Sequence, residues 1–282
     1  MSSVPATPPL PDYHTHTVLC GHARGRPEEY VEHALARGLT AIGIADHLPL
    51  LHDRDPQLSM DLAQLEGYVE EVLRLKQRYP GFVFLGIEAD YRPDTIEAVR
   101  SLLGEYPFDY VVGSVHFIDG WGFDDPRQAR GFAERPIDHV YRRYFELVGE
   151  AADTGVFTIL GHLDLVKKFG HRPTAPMDDL LRALAARIAR DGLLVELNTA
   201  GLRKPVAEIY PAADVLPILR AAGVRLTFGS DAHAPEEVGC DFTTAVRHAR
   251  SGGFTDYAGL APSPGGARAH IEVRPLPSED PA

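Results

Sequence analysis

Short apolar runs alternate with longer stretches of helical period along this chain, and the alternation repeats seven times. Residues 40–45, 82–87, 110–113, 157–160, 193–195 and 224–228 are almost continuously hydrophobic, with β-branched and aromatic residues well represented. That composition suits parallel strands covered on both faces. Helical patterns occupy 27–37, 61–78, 95–103, 137–153, 177–190, 212–221 and 236–251. Pro27 stands at a first helical position, and Gly38, Gly155, Gly192 and Gly223 fall just past helix ends, the expected punctuation. Strand followed by helix, repeated, predicts an α/β architecture of successive βα units.

Seven apolar runs, counting the one that opens the chain, end in a polar motif at their C-terminal edge. The motifs are His14-Thr15-His16, Asp46-His47, Glu88-Ala89-Asp90, Ser114-Val115-His116, Gly161-His162-Leu163-Asp164, Glu196-Leu197-Asn198 and Ser230-Asp231-Ala232-His233. Imidazole and carboxylate recurring at the same place on successive strands belong on one rim of a sheet or barrel, where α/β enzymes keep their chemistry. Segments 48–60 and 117–136 follow the second and fourth strands and are the longest irregular stretches. They are expected on the same rim as lids or substrate walls.

A chain of 282 residues, 44% hydrophobic, can bury one full core, so residues 1–282 are expected to form a single domain. Segments 1–11 and about 262–282 read as peripheral tails. The start is Pro-rich and lacks the basic and apolar regions of a secretory signal, and no run approaches a membrane span, so a cytoplasmic, soluble protein is expected. Two cysteines, Cys20 and Cys240, make no disulfide framework. A formal charge of −12 argues against a nucleic-acid surface, which is built from clustered Lys and Arg. No membrane partner is expected, and oligomeric state is left open.

Positions i and i+2 on a strand share a face, so His14 and His16 can converge on one ion, as can Asp231 and His233. Either pair alone is as readily explained by hydrogen-bonded histidines; two pairs on the first and last strands, neighbours if a barrel closes, favour metal. Glu88 ends an apolar strand, where a lone buried carboxylate is costly. Bridging two ions would resolve that cost; a salt bridge to Arg92 is the bland alternative. His116, His162 and His47 join the set through their rim positions. His22, in a loop, is the weakest member, and Cys20 reads better as a buried thiol than as a soft ligand.

The ordered set HTHTxxCGH, ADH, GIEADY, GSVHF, GHLDL, ELNTAGLRKPVAEIYP and GSDAH resembles the polymerase and histidinol phosphatase superfamily, and within it the monofunctional histidinol-phosphate phosphatases. The resemblance spans Asp12 to about Gly239. It implies a distorted (β/α)7 TIM-like barrel with a trinuclear metal centre at the C-terminal rim, and hydrolysis of L-histidinol phosphate in histidine biosynthesis. By motif, one ion takes His14, His16, Glu88 and Asp231, a second shares Glu88 with His116 and His162, and a third takes His22, His47 and His233. The donor types admit three divalent ions of zinc, iron or manganese.

Closely spaced ions lower the pKa of a bound water, orient a phosphoryl group and absorb charge on its oxygens. Glu88, Asp231 and His233 are therefore the catalytic candidates, with Asp231 or His233 protonating the leaving alkoxide. For a small phosphomonoester substrate, Arg203 offers a forked donor to phosphate. Asn198, Lys167, Lys168 and Tyr210 are further candidates, and Asp90, Tyr91 and the loop containing Trp121 are placed to receive imidazole and amine. Three alternatives remain. A related phosphoesterase acting on another small phosphate or on nucleic-acid ends would use the same metals. A metal-dependent amidohydrolase commonly needs a bridging lysine, which no strand end supplies. A non-catalytic metal-binding module would not need so many open ligands.

Overall fold

The computed structural model describes residues 8–52, 54–263 and 269–278. The remaining parts of the two expected tails lie outside the described residues. Parallel strands β1 (Pro11–Asp12), β2 (Ala41–Ile44) and β3 (Val83–Leu85) form one sheet. A second parallel sheet has the order β10 (Arg225–Gly229), β9 (Leu194–Asn198), β8 (Ile159–Leu160), β5 (Val112–Ser114), β4 (Glu88–Asp90). Isolated parallel bridges join the two, Thr15 to Ala232 on one side and His47 to Glu88 on the other. The predicted third strand is thus interrupted at Gly86-Ile87, so Glu88 opens β4 rather than ending β3.

Helices α1 (Pro27–Ala36), α2 (Leu62–Arg78), α3 (Ile96–Leu103), α4 (Ile137–Ala152), α5 (Asp178–Arg190), α6 (Leu216–Ala221) and α7 (Phe242–Ser251) follow the strands. In α2, Leu65, Tyr68, Val69, Val72 and Leu75 are buried; they recur at helical spacing and form one inward stripe. Gln64 accepts from the Asp61 amide at 2.8 Å and closes the first turn. Two helices are shorter than their patterns. Pro217 has no N–H to give, so α6 starts at Leu216, placing Pro217 in the first turn where no donor is needed. Helix α7 waits until Phe242 because Pro235–Glu237 forms a separate 3-10 turn and Gly239 and Asp241 take left-handed backbone at φ 64 and 61.

Two short hairpins complete the fold. Strands β6 (Phe117–Ile118) and β7 (Trp121–Gly122) lie in the long rim segment. Strands β11 (Asp256–Ala261) and β12 (His270–Pro275) pair antiparallel, which corrects the expectation of a plain tail from residue 262. Pro11 belongs to β1 and Leu10 is fully buried, so the N-terminal tail also ends earlier than expected. Ala258 and Leu260 of the hairpin share a buried cluster with Tyr13, Ala41, Phe84, Tyr110, Ile159 and Leu194. In this cluster the Tyr110 hydroxyl donates to the Tyr13 carbonyl at 2.7 Å. It fits only because Gly43 and Gly86 lack side chains: a Cβ on either would fall 1.8 and 2.3 Å from the phenol. No helix of the described residues is long and apolar enough to cross a membrane.

Candidate metal centre and its cavity

The strands of the two parallel sheets run the same way, so their following residues meet on one rim. Glu88, 2% exposed, lies at the centre. Its Oε2 stands 2.9 Å from His47 Nδ1, 3.3 Å from His14 Nε2 and 3.6 Å from His16 Nε2. Its Oε1 stands 3.1 Å from His162 Nε2 and 3.7 Å from His116 Nε2. Asp231 Oδ1 approaches His16 Nε2 at 3.2 Å and His233 Nδ1 at 3.4 Å, and the Nε2 atoms of His233 and His22 face each other at 2.9 Å. All nine predicted ligands are thereby brought together. Arg92 pairs with Asp94 at 2.7 Å, and Glu88 is surrounded by imidazole instead.

Several of these atoms are buried without a hydrogen bond: His14 Nε2, both ring nitrogens of His16, Glu88 Oε2 and His162 Nδ1. Unpartnered buried polar atoms are costly, and clustered ones of the right donor type fit divalent cations. Ligand atoms lie within 4.8 Å of one another in the groups His14–His16–Asp231, His16–His47–His233, His47–Glu88–His116 and Cys20–His22–His233. Two of the predicted ligands sit on strained backbone, His162 at φ 26 and Asp231 at φ 50. Such conformations cost on the order of 1–3 kcal/mol each and persist where surrounding structure over-determines them.

The electrostatics reflect that crowding. Burial alone would raise the Glu88 carboxyl, but His47 and His14 outweigh it and hold Glu88 well below the usual carboxylate range. Asp231 is held low in the same way, by His14 and His16. Burial would depress His16, yet hydrogen bonds to Asp231 and Asp46 raise it to about 9. Asp90 and Asp124 likewise lift His116 to about 10 against its burial. His22 goes the other way, lowered to about 4 by burial and then by His47 and His16. Burial, then Asp46, pushes the Cys20 thiol up, and its Sγ donates to the Thr17 carbonyl at 3.2 Å, consistent with a plain buried thiol.

An outer layer of acceptors holds the imidazoles, and here the sequence reading missed a residue. Glu196 stands in a rim motif but outside the ligand set expected from the sequence. Its buried carboxylate takes His14 Nδ1 at 2.9 Å, the His162 amide at 2.7 Å and Asn198 Nδ2 at 2.7 Å. Its burial on a strand, two residues before Asn198, was the available signal. Asp46 stands 3.5 Å from His16 Nδ1 and accepts from the Thr17 and His47 amides, while Asp90 accepts from His116 Nδ1 at 2.8 Å. Ser114 donates to Glu88 Oε1 at 2.5 Å. Such partners fix ring orientation and tautomer.

A cavity of about 590 Å³ opens over Glu88, His22, His47, His116, His162, Asp231 and His233. Both long rim segments wall it, through Leu50, Gln57 and Leu58 and through Gly122 and Asp124 to Gln128. Lys168, Lys204, Asp90 and Tyr210 also line it. Lys168 pairs with Asp124 at 3.0 Å. Other substrate candidates sit elsewhere. Tyr91 is buried in the main core and donates to Glu150. Lys167 is buried, with its ammonium on the Ile209 carbonyl at 2.8 Å and Asp164 at 2.9 Å. Arg203 donates to the Ser230 carbonyl at 2.8 Å and lies 3.6 Å from Glu237, with Nη1 buried and unpartnered; its neighbour Lys204 lines the cavity. Asn198 donates to Asp231 Oδ2 at 3.3 Å and so acts on a predicted ligand. Trp121 packs on Phe132 with Arg135 over its ring.

A fold of parallel βα units with clustered imidazoles and carboxylates of metal-ligand type at the strand ends defines a metal-dependent hydrolase architecture. Residues 12–200 match the PHP domain family, and the chain belongs to it. A Deinococcus radiodurans protein named as a probable histidinol-phosphatase is 45% identical over 246 residues, covering 86% of this chain and 94% of that one. The histidinol-phosphatase of Bacillus subtilis is 31% identical over 256 residues, covering 81% and 95%. The crystal structure of histidinol phosphate phosphatase from Lactococcus lactis, complexed with zinc, L-histidinol and phosphate, has a TM-score of 0.78 at 20% identity and covers 93% of this chain and 99% of that one. At that identity the likeness establishes the fold.

Proposed function

We propose that the chain is a metal-dependent phosphomonoesterase that hydrolyses L-histidinol phosphate to L-histidinol and phosphate, in histidine biosynthesis. The observation that carries this reading is the convergence of imidazole and carboxylate on Glu88 at the floor of a cavity that Lys168 and Lys204 also line. Relatives named as histidinol-phosphatases over most of their length point to the same substrate. The two sheets are read as one distorted (β/α)7 barrel in a single cytoplasmic domain, closed through the Thr15–Ala232 and His47–Glu88 bridges.

His14, His16, Glu88 and Asp231 would hold one divalent cation, Glu88 with His116 and His162 a second, and His22, His47 and His233 a third. The donors suit zinc, iron or manganese. The grouping of His14, His16 and Asp231 within 4.8 Å supports the first set, whereas His47 stands close to both remaining groups. When bound, such cations supply an activated water and neutralise charge on the phosphoryl oxygens. The chain's own part is orientation: Glu196, Asp46 and Asp90 hold the imidazoles, and Asn198 steadies Asp231. Lys168, Lys204 and the adjacent Arg203 favour an anionic substrate, and Asp231 or His233, both held unprotonated at rest, would take a proton from the attacking water and pass it to the leaving alkoxide. The cavity exceeds the size of one phosphate and leaves room for an imidazole and amine beside Asp90 and Asp124.

The test is phosphate release over a panel of phosphomonoesters, with metal content measured on the same sample. Histidinol phosphate should have the highest kcat/KM. Preference for another small phosphate or a nucleic-acid end would transfer the activity to a related phosphoesterase. Absence of turnover in fully loaded protein would leave a metal-binding module.

A further inference from the structure

Tyr210 is almost completely buried at 1% exposure, and its hydroxyl has neither solvent contact nor a hydrogen-bond partner. Yet it lines the cavity over the metal ligands, with its ring edge-on to His162 at 6.4 Å between centroids. Buried tyrosine hydroxyls normally find a partner, and leaving one unmade is costly. The ring thus borders the cavity while its hydroxyl is left without any partner from the chain.

The segment around it is built to hold the ring there. Tyr210 exchanges both backbone hydrogen bonds with Asn198, N to O at 3.0 Å and O to N at 2.8 Å, which ties it to the end of β9. The buried Lys167 ammonium lies 5.2 Å from the ring centroid and donates to the preceding carbonyl, that of Ile209. Gly201 leaves the ring its place: a Cβ there would stand 2.9 Å from Tyr210 Cε2 and 1.9 Å from the Glu208 carbonyl oxygen. Lys167 thus has a task that explains its burial, positioning the tyrosine from behind.

We propose that the Tyr210 hydroxyl donates a hydrogen bond to a phosphoryl oxygen of the bound ester, and that Lys167 is the residue positioning it. The inference rests on the phosphomonoesterase reading. A phenol suits this place because it adds a donor without adding charge beside His162, and its donor direction is fixed before substrate binds. Of the carboxylates near the ring, Asp124 is engaged with Lys168 and Asp164 Oδ2 with Lys167 and the Ala212 amide, while Asp164 Oδ1 is buried without a hydrogen bond of its own.

Tyr210→Phe tests the assignment, since it removes one oxygen and keeps the ring. Metal content and melting temperature should match the wild type. The inhibition constant of inorganic phosphate should rise about ten-fold or more, the size expected for a hydrogen bond to a charged group. The value of kcat/KM should fall by a similar factor for both histidinol phosphate and p-nitrophenyl phosphate. Unchanged phosphate inhibition would overturn the proposal, as would a loss confined to histidinol phosphate, which would place the hydroxyl on the alcohol portion. Lys167→Met should raise the phosphate inhibition constant in the Tyr210 protein but not in Tyr210→Phe. An equal effect in both backgrounds would remove Lys167 from the positioning role. Failure of the wild type to hydrolyse any phosphomonoester would instead sink the underlying activity.

Discussion

Glu88 and Glu196 are both buried carboxylates at strand ends, and the difference between them is what each oxygen faces. Oε2 of Glu88 has only ring nitrogens around it and no hydrogen bond, whereas Glu196 accepts from His14, the His162 amide and Asn198. Substituting glutamine at position 88 removes charge and bridging capacity at nearly constant volume. Metal occupancy and phosphatase activity should fall together in Glu88→Gln; normal turnover with normal metal content would return Glu88 to a structural role. Glu196→Gln keeps an acceptor for the His162 amide but forfeits the charged contact to His14. Loss of an outer partner of this kind typically costs 10–100-fold in metal affinity or activity, so intermediate weakening is expected, read by metal titration. An effect as complete as that at position 88 would make Glu196 a ligand. Arg203, singled out for phosphate, is held by Ser230 and Glu237 behind the wall that Lys204 forms. Residue type alone cannot separate these neighbours, because which of two consecutive cations faces the cavity depends on the turn that follows β9.

The loops, more than the strands, decide who reaches the cavity. Gly21 sits at φ 81 against segment 48–60, where an added Cβ would fall 1.9 Å from the Pro56 carbonyl oxygen. Gly21→Ala must therefore lift that segment and disturb His22, the next residue. Activity should drop and one metal should be lost or loosened. Gly38→Ala is the matched control: it has φ 73 and open space around the Cβ, so it should lose roughly 1–3 kcal/mol from backbone strain alone and keep full activity. Equal activity in the two variants would show that segment 48–60 does not support the centre. The helix pattern was legible almost to the residue for α2, α3 and α5, since spacing of buried positions is local information. It overran for α6 and α7, where Pro217, Gly239 and Asp241 set the start through backbone geometry.

For the whole molecule, stability and metal loading are linked. The proposed ligands are far apart in the chain, so cations binding only the folded state should stabilise it by about 2.7 kcal/mol at a hundred-fold excess over Kd. Chelation should lower the melting temperature, and zinc or manganese should restore it. Elemental analysis of protein purified without chelator should approach three transition metals per chain; full activity with one would reject a trinuclear centre. Metal binding should also release protons. His14, His16 and His116 are raised above the ordinary histidine value in the metal-free protein, so at neutral pH they carry protons that ligation must expel. Affinity should then rise with pH from neutrality upward and fall on acidification. Calorimetry in buffers of different ionisation enthalpy measures the release, and none at all would mean that those imidazoles are neutral or do not bind.

The sequence by itself determined the α/β class, the βα alternation and the nine residues that converge on one rim, because hydrophobic period and motif placement at strand ends are carried by neighbouring residues. It also carried the PHP resemblance, through the order of the motifs. Only the tertiary structure decided the second layer. Glu196 meets His14 across 182 residues, Asp12 accepts from Ser230 and Gly239 across more than two hundred, and Tyr210 is braced by Lys167. It also sent Tyr91 and Lys167 away from the cavity and made a strand of His270–Pro275. A side chain's direction follows from φ/ψ and from what packs against it, and for these residues both are set by partners that no local window contains.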